Sequence, residues 1–218
     1  FQKAYGSYEK LLADPKVEAV YIPLPNTMHY EWTIRALKSG KHVLCEKPLA
    51  PTEAQAEEMF KAAEENHVYL MEAFAYQHSP YIAAVRKEIE NGTIGDVRYM
   101  ESAYITSDYD PKNIRMRRDT LGGCTYDLGV YNTSLILRIL GDEPAKVRAI
   151  ASFSEEKIDT LTSFDGREEM KTISVPQNYR LEVEQMGRCV EGKETPAVTR
   201  GFSLANARMI DAILEEIG

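Results

Sequence analysis

The sequence predicts part of a doubly wound parallel α/β sheet, followed by an α+β domain with an open, mainly antiparallel sheet. In the first third of the chain, short apolar segments rich in branched residues alternate with stretches of helical periodicity. This alternation is typical of parallel strands joined by right-handed crossover helices. After about residue 75 it stops, and a half-exposed strand pattern follows a single helix. We therefore expect two domains, residues 1–74 and residues 75–218.

The first domain is predicted to contain three buried strands, VEAVYIPL (17–24), HVLCE (42–46) and VYLMEAF (68–74). The helix between the first two strands ends at Gly40, and Thr52 with Gln55 forms a capping box for the next helix. The segment SYEKLLADP, before the first strand, is predicted to be a further helix. Parallel strands connected in this way place their carboxyl ends at one edge of the sheet.

The second domain is predicted to begin with a helix that starts at Ser79 and Pro80 and reaches Asn91. A long amphipathic helix after Gly123 ends before Gly141. The other predicted elements are strands at 96–105, 146–153 and 168–175, a helix at 180–192, and a terminal helix with Ser203 as its cap.

The composition indicates a globular protein whose partners are small molecules. The chain has 218 residues, 44% of them hydrophobic, which is enough for a sizeable core. Its 34 acidic and 26 basic residues give a net charge of -8, which argues against nucleic acid or an anionic membrane as the main partner. No apolar run approaches the roughly 18 residues of a membrane span. The three cysteines are far apart and have no metal-ligand spacing, so we expect no disulfide framework, no metal site and a reducing, cytoplasmic compartment.

Polar residues follow two neighbouring strands of the predicted sheet. Lys47 comes just after the second strand, and the proline that follows it favours an extended backbone. Pro25 and Asn26 follow the first strand, with His29 one helical turn further on. Because ligands bind at the carboxyl edge of open parallel sheets, we interpret these residues as one site. An ordinary solvated turn at Lys47, a helix cap at Asn26 and a surface histidine are the alternative interpretation.

Asp127 and Tyr131 are four residues apart in the predicted long helix, so both side chains project from one face. Gly122, Gly123 and Gly129 allow backbone or a ligand to approach closely. A helix that begins after two glycines also offers unpaired amides to a polar ligand. The alternative is an aspartate stabilised by the helix dipole and a tyrosine packed at a domain interface.

Together these motifs resemble the Gfo/Idh/MocA oxidoreductase family. The resemblance rests on Glu46-Lys47-Pro48 after a strand, on Pro25-Asn26 with His29, and on Gly122-Gly123-x-x-x-Asp127-x-Gly129-x-Tyr131. It extends over nearly all of the chain and includes AFAYQHSP (73–80), NGTIGDV (91–97) and the terminal SLANARMIDAI. Within the family, most members have a histidine at the position of Tyr131. The tyrosine resembles the subgroup that contains dihydrodiol dehydrogenase, xylose dehydrogenase and glucose-fructose oxidoreductase.

The resemblance implies a Rossmann domain that binds NAD or NADP, and hydride transfer between nicotinamide and a sugar, polyol or cyclic diol. It implies that Lys47 and Tyr131 lie beside the reacting oxygen and that Asp127 orients the substrate. The residues implied for the nicotinamide-ribose part of the site are Leu24, Pro25, Asn26, His29, Glu46 and Lys47. A homo-oligomer, dimer or tetramer, formed through the sheet of the second domain, is also implied.

A phenol with an unperturbed pKa of about 10 is a poor base near neutrality. Lowering the pKa of Tyr131 by roughly three units needs about 4 kcal/mol of stabilisation of the phenolate, and a nearby Lys47 ammonium could supply much of it. Lys47 could instead carry the proton if desolvation lowered its own pKa, or it could polarise a carbonyl, so the division of roles stays open.

The sequence also departs from the family's pattern. The G-x-G-x-x-G turn and the residue that selects NAD or NADP are absent, so we expect at least one amino-terminal βαβ unit, of roughly 30 residues, outside this chain. Gln77 stands where relatives often have arginine. The arginines at 115, 117 and 118 indicate a loop that meets the substrate or, alternatively, a solvated basic loop.

Three other hypotheses stay open. They are a ligand-sensing or scaffold protein on the same fold, an inactive fragment without the cofactor half, and a hydrolase that acts by elimination with tightly held NAD.

Overall fold

The computed structural model describes residues 3–106, 110, 112–141, 146–147, 149–154, 157, 159–160 and 178–217. The strands are β1 (Ala19–Ile22), β2 (His42–Glu46) and β3 (Leu70–Ala73). The α-helices are α1 (Tyr8–Leu12), α2 (Asn26–Lys38), α3 (Glu53–Glu65), α4 (Pro80–Glu90), α5 (Val130–Leu140), α6 (Asn178–Val190) and α7 (Arg200–Ile217). Short 3₁₀ helices span Ala75–His78, Ile114–Met116 and Arg118–Thr120, and a π-helical turn at Thr125–Gly129 leads directly into α5.

The predicted parallel sheet is confirmed. Its strand order is β1-β2-β3, with both pairs parallel, and Cys45 lies opposite Ile22 on one side and Glu72 on the other. All three strands run in the same direction, so their carboxyl ends lie at the same edge of the sheet. The carboxyl end of β2 is therefore flanked by the ends of both other strands.

Two apolar clusters cover the two faces of this sheet. Val43 and Cys45 point into a cluster with residues of α2 and α3, whereas Leu44 packs into a cluster with residues of α5, α6 and α7. The alternation follows from the two-residue period of a strand. Helices that follow residue 75 thus form the second layer of the sheet. The division into domains at residue 74 stays a prediction.

Most predicted helix ends are confirmed. The side chains of Ser7, Thr52 and Ser79 each accept a hydrogen bond from the first turn of α1, α3 and α4, respectively. The prediction that Ser203 caps the last helix is wrong, since α7 begins at Arg200 and Ser203 is buried inside it. The Thr199 hydroxyl, which accepts from the amide of residue 202 at 3.2 Å, is the cap instead.

The strand predicted at 96–105 forms no ladder with another strand in the part of the chain that is described. Alternation of polar and apolar residues fixes which way side chains point, but a strand also needs a partner backbone. Among the described residues of the predicted antiparallel sheet, the pairing is one isolated antiparallel bridge between Phe153 and Asp159. The strand predicted at 168–175 lies outside the described residues.

Within the described ranges, no helix is both long and apolar enough to cross a membrane.

Candidate functional site

Lys47 follows β2 directly and extends towards the π-helical turn that precedes α5. Its Nζ donates to the main-chain oxygen of Asp127 at 2.6 Å and lies 3.4 Å from Asp127 Oδ1. The other carboxylate oxygen of Asp127 accepts from Arg115 Nε at 2.9 Å. The Lys47 and Asp127 side chains are only 11% and 16% exposed. Two cations therefore share one largely buried carboxylate.

Tyr131 lies on the same side of the helix as Asp127, as their spacing predicted. Lys47 Nζ stands 4.6 Å from the centroid of the Tyr131 ring, over its face rather than at its hydroxyl. The ring also packs edge-on against Phe74 and Tyr104, with centroid distances of 6.0 and 5.5 Å. A cation over a tyrosine face is attracted by the ring quadrupole. The three predicted catalytic residues, Lys47, Asp127 and Tyr131, are thus brought together.

Burial shifts the two titratable groups in opposite directions. It lowers the pKa of the Lys47 ammonium, and the charge of Asp127 partly opposes that change. It raises the pKa of Tyr131, and the negative charge of Glu46 raises it further. The sequence-based idea that Lys47 lowers the pKa of the phenol is therefore wrong in this arrangement. The reason is that burial penalises the charged phenolate and the negative charges nearby add to that penalty.

His29 is a buried link between two strand-end loops and not a surface histidine. Its Nδ1 lies 2.8 Å from the carbonyl oxygen of Pro48, and its Nε2 lies 2.7 Å from that of Leu24. A neutral imidazole can donate to only one of these oxygens. Burial lowers the pKa of His29, while both carbonyl oxygens favour the protonated ring. Both ring nitrogens are used within the protein.

Asn26 does not cap α2, because the N-cap position is Pro25 and Asn26 is the first helical residue. Its Nδ2 instead donates to the carbonyl oxygen of Leu121 at 2.9 Å. This hydrogen bond joins the end of β1 to the loop that precedes α5, so the interpretation of Asn26 as a cap is wrong.

These residues line a cavity of about 570 Å³ at the carboxyl edge of the sheet. Of the residues implied for the cofactor, Pro25 is the one missing from its wall. Glu46 holds its place by accepting from the Tyr21 hydroxyl at 2.5 Å and from the Lys47 amide at 3.3 Å. The wall includes, from the prediction, Leu24, Asn26, His29, Glu46, Lys47, Asp127 and Tyr131.

Asp159 occupies the helix start that was predicted to offer free amides. Its side chain accepts from the Thr125 amide at 2.8 Å and from the Thr125 hydroxyl at 2.6 Å, and its carbonyl oxygen accepts from the Cys124 amide at 3.0 Å. A Cβ on Gly123 would lie 2.0 Å from Asp159 Oδ1. The glycine therefore admits a protein carboxylate here, and the prediction of open amides for a ligand is wrong.

Sequence reasoning undervalued Arg115 and did not find Tyr21, Tyr104 or Tyr179, which also line the cavity. The available signal for Arg115 was its place in the polar loop before the helix. Arg117, in the same loop, is half-exposed and pairs with Asp119, as a solvated loop predicts. The three tyrosines belong to none of the motifs and are separated from them in the sequence, so no local pattern connected them with the site. Among the described residues, no group of three histidine, cysteine, aspartate or glutamate side chains could hold a metal ion.

Comparison with known proteins identifies the family of the chain. Residues 2–74 match the model of an oxidoreductase family with an NAD-binding Rossmann fold, and residues 82–175 match the GFO/IDH/MocA C-terminal domain. D-xylose 1-dehydrogenase (NADP(+)) 2 of Haloferax volcanii is 33% identical over 267 residues, covering 97% of this chain and 82% of the relative. Trans-1,2-dihydrobenzene-1,2-diol dehydrogenase of Mus musculus is 36% identical over 164 residues, covering 74% of this chain and 48% of the relative.

The fold has solved counterparts. The 3-ketoreductase KijD10 from Actinomadura kijaniata, in complex with NADP and TDP-benzene, aligns with a TM-score of 0.83 and 24% identity, over 97% of this chain and 82% of that chain. The chain spans 41% to 57% of the length of several other curated relatives.

Proposed function

The chain belongs to the Gfo/Idh/MocA oxidoreductase family, and on that premise we propose that it is an NAD(P)-dependent oxidoreductase. The reaction is hydride transfer between nicotinamide and a sugar, a polyol or a cyclic diol. The relatives named above act, by their names, on a pentose, a diol and a keto group. The observation that carries the proposal is the convergence of Lys47, Asp127 and Tyr131 on one cavity.

The cavity suits a nicotinamide riboside in size and in chemistry. Its position matches the general rule that dinucleotides bind at the carboxyl edge of a parallel sheet. Leu24 offers apolar contact for a ring, and the Glu46 carboxylate has further lone pairs to accept hydrogen bonds from ribose hydroxyls. We assign Asn26 and His29 to the shape of this wall, because each already bonds a carbonyl oxygen. When bound, the nicotinamide supplies or takes the hydride.

The proton chemistry follows from the pKa directions. Because burial keeps Tyr131 protonated at neutral pH, its hydroxyl is the proton donor to a carbonyl oxygen in the reductive direction. In the oxidative direction the same path runs in reverse: Tyr131 receives the alcohol proton as it passes its own to Lys47, whose lowered pKa lets it reach a neutral amine more readily than an exposed lysine. Asp127, held by Arg115, orients the Lys47 ammonium and a substrate hydroxyl.

The wider assignments belong to the same proposal. We assign residues 1–74 to the dinucleotide-binding domain and residues 75–218 to a domain for substrate binding and oligomerisation. A cytoplasmic location fits the buried thiols of Cys45 and Cys189. A homo-oligomer fits the exposed apolar side chains around residues 94–105 and 150–153.

The proposal is tested by titrating the purified protein with NADH and NADPH while following the fluorescence of reduced nicotinamide, with an intact mass taken on the same sample. Saturable binding, followed by turnover in a screen of aldoses, polyols and cyclic diols, supports the oxidoreductase. Binding with product release but no net change in cofactor redox state indicates elimination chemistry instead. Absence of binding by the whole protein contradicts the proposal and favours a sensor or scaffold.

A further inference from the structure

Glu72 is a carboxylic acid inside the sheet that the proposed reaction does not use. Glu72 lies in β3 and is 2% exposed. This strand pairs with β2, which Lys47 follows directly. Burial raises its pKa to about 7. Keeping such a group in an apolar core is costly unless its oxygens are hydrogen-bonded. The buried Ser203 hydroxyl lies beside the carboxyl and, by hydrogen bonding, partly opposes the effect of burial on its pKa.

Glu72 also has a specific main-chain partner. Glu72 Oε1 accepts from the main-chain amide of Leu49 at 2.9 Å, and the bond is buried. Leu49 is two residues after Lys47 and is itself 2% exposed. Through this bond the Glu72 carboxyl anchors the turn at residues 47–49, which carries Lys47.

Two more contacts hold the same turn. His29 Nδ1 lies 2.8 Å from the Pro48 carbonyl oxygen, and the Lys47 amide donates to the carboxylate of Glu46 at 3.3 Å. Consecutive residues of the turn are thus each held through their main chain. Because a lysine side chain has many rotamers, the position of its ammonium depends on a fixed backbone and on the groups that receive it.

We propose that Glu72 is a positioning residue, which fixes the turn at residues 47–49 through the Leu49 amide and so presents the Lys47 ammonium to Asp127 and Tyr131. The catalytic consequence rests on the function proposed above. The positional consequence does not, since it concerns where the ammonium lies whether or not the protein turns over.

The structural arm of the test measures how fast Lys47 is acetylated by sulfosuccinimidyl acetate, with peptide mass spectrometry as the readout. Lys61 is the internal reference, because it lies on α3 and its side chain is 72% exposed. In Glu72→Leu, which keeps the volume but loses the acceptor, the Lys47 to Lys61 ratio should rise at least fivefold. Glu72→Gln retains an acceptor oxygen and should stay within twofold of the wild type.

Leu37→Ala is the matched control for instability. Leu37 is fully buried near the carboxyl end of α2, far along that helix from the turn. It should lower thermal stability while leaving the acetylation ratio unchanged. An unchanged ratio in Glu72→Leu, or an equal rise in Leu37→Ala, would overturn the proposal.

If Glu72→Leu does not fold, hydrogen exchange of the Leu49 amide decides. Wild type and Glu72→Gln should both protect this amide at least a hundredfold, and an unprotected Leu49 amide in the folded wild type would contradict the anchor.

The catalytic arm uses the same variants. Glu72→Leu should lower kcat at least tenfold while changing the KM for reduced nicotinamide less than threefold, and Glu72→Gln should restore kcat. If the acetylation ratio responds as expected but the wild type shows no turnover, the proposed function is refuted and the positional role of Glu72 is retained. Normal kcat in Glu72→Leu, alongside a freed Lys47, would refute the catalytic consequence alone.

Discussion

At the scale of single residues, burial sets the protonation of the site. The same desolvation lowers the pKa of Lys47 and raises that of Tyr131, so it favours the neutral form of both groups. A neutral phenol beside a partly desolvated amine is a suitable pair for delivering a proton to a carbonyl oxygen and recovering it. Neither shift could be obtained from the spacing of the residues, because burial is a property of the folded chain.

Tyr131→Phe should lower turnover by about 10²- to 10⁴-fold, because it removes a proton donor and little packing volume. Affinity for reduced nicotinamide, measured by fluorescence titration, should stay within about threefold. The control is Tyr30→Phe, which removes a surface hydroxyl bound to Glu58 and should leave turnover unchanged. Full activity in the Tyr131 variant would contradict its role.

Glu72 should make the protein less stable as the pH rises. Its pKa is about 7 in the folded state against 4.5 as the ordinary value. The stabilisation is therefore fully present below about pH 4.5 and is lost as the pH rises through 7. At 1.36 kcal/mol per pKa unit the loss is about 3 kcal/mol. Glu72→Gln cannot ionise, so its unfolding free energy at pH 8 should exceed that of the wild type by about 1–3 kcal/mol.

Urea denaturation of wild type and Glu72→Gln at pH 5 and pH 8 measures this difference. A stability difference that does not grow with pH would show that the Glu72 pKa is not raised.

At the scale of elements, the start of the long helix is built around one acid. Asp159 satisfies the amide of residue 125, and the positive φ of 116° at Gly123 brings the backbone close enough for this contact. The sequence predicted the glycines as points of close approach, but the group that approaches comes from the protein itself. The π-helical turn at Thr125–Gly129 directs Asp127 towards Lys47.

Gly123→Ala should destabilise the protein by about 2–4 kcal/mol, because it adds a Cβ 2.0 Å from Asp159 Oδ1 at a positive φ. Gly187→Ala is the control, since Gly187 lies in α6 with open space around it, and it should stabilise by about 0.5–1 kcal/mol. Chemical denaturation of both variants provides the measurement. Equal effects at the two sites would show that the Asp159 contact does not constrain Gly123.

At the scale of the whole molecule, α7 ties the two predicted domains together. Leu204 packs into the cluster between the sheet, α2 and α3, whereas Ile210 packs into the cluster on the other face. The Glu53 amide at the start of α3 donates to Asp211 of α7 at 2.8 Å. The last helix is therefore part of the sheet's own covering.

Leu204→Ala and Ile210→Ala should each lower the midpoint of one shared thermal transition, at a cost of about 2–4 kcal/mol. The reason is that one helix serves both clusters, so neither half keeps its core when the other opens. Differential scanning calorimetry and near-UV circular dichroism measure this. A second, separate transition in either variant would show that residues 1–74 and 75–218 unfold independently.

The sequence by itself determined the three parallel strands, most helix caps and the family, because these depend on local periodicity, turn chemistry and motif spacing. It also named Lys47, Asp127 and Tyr131, since strand ends and a four-residue helical spacing are visible in one dimension. Only the tertiary structure decided which groups are desolvated, that Asp159 fills the helix start, and that His29 and Glu72 hold the turn at Lys47. These depend on contacts between residues far apart in the chain, whose closeness no local pattern encodes.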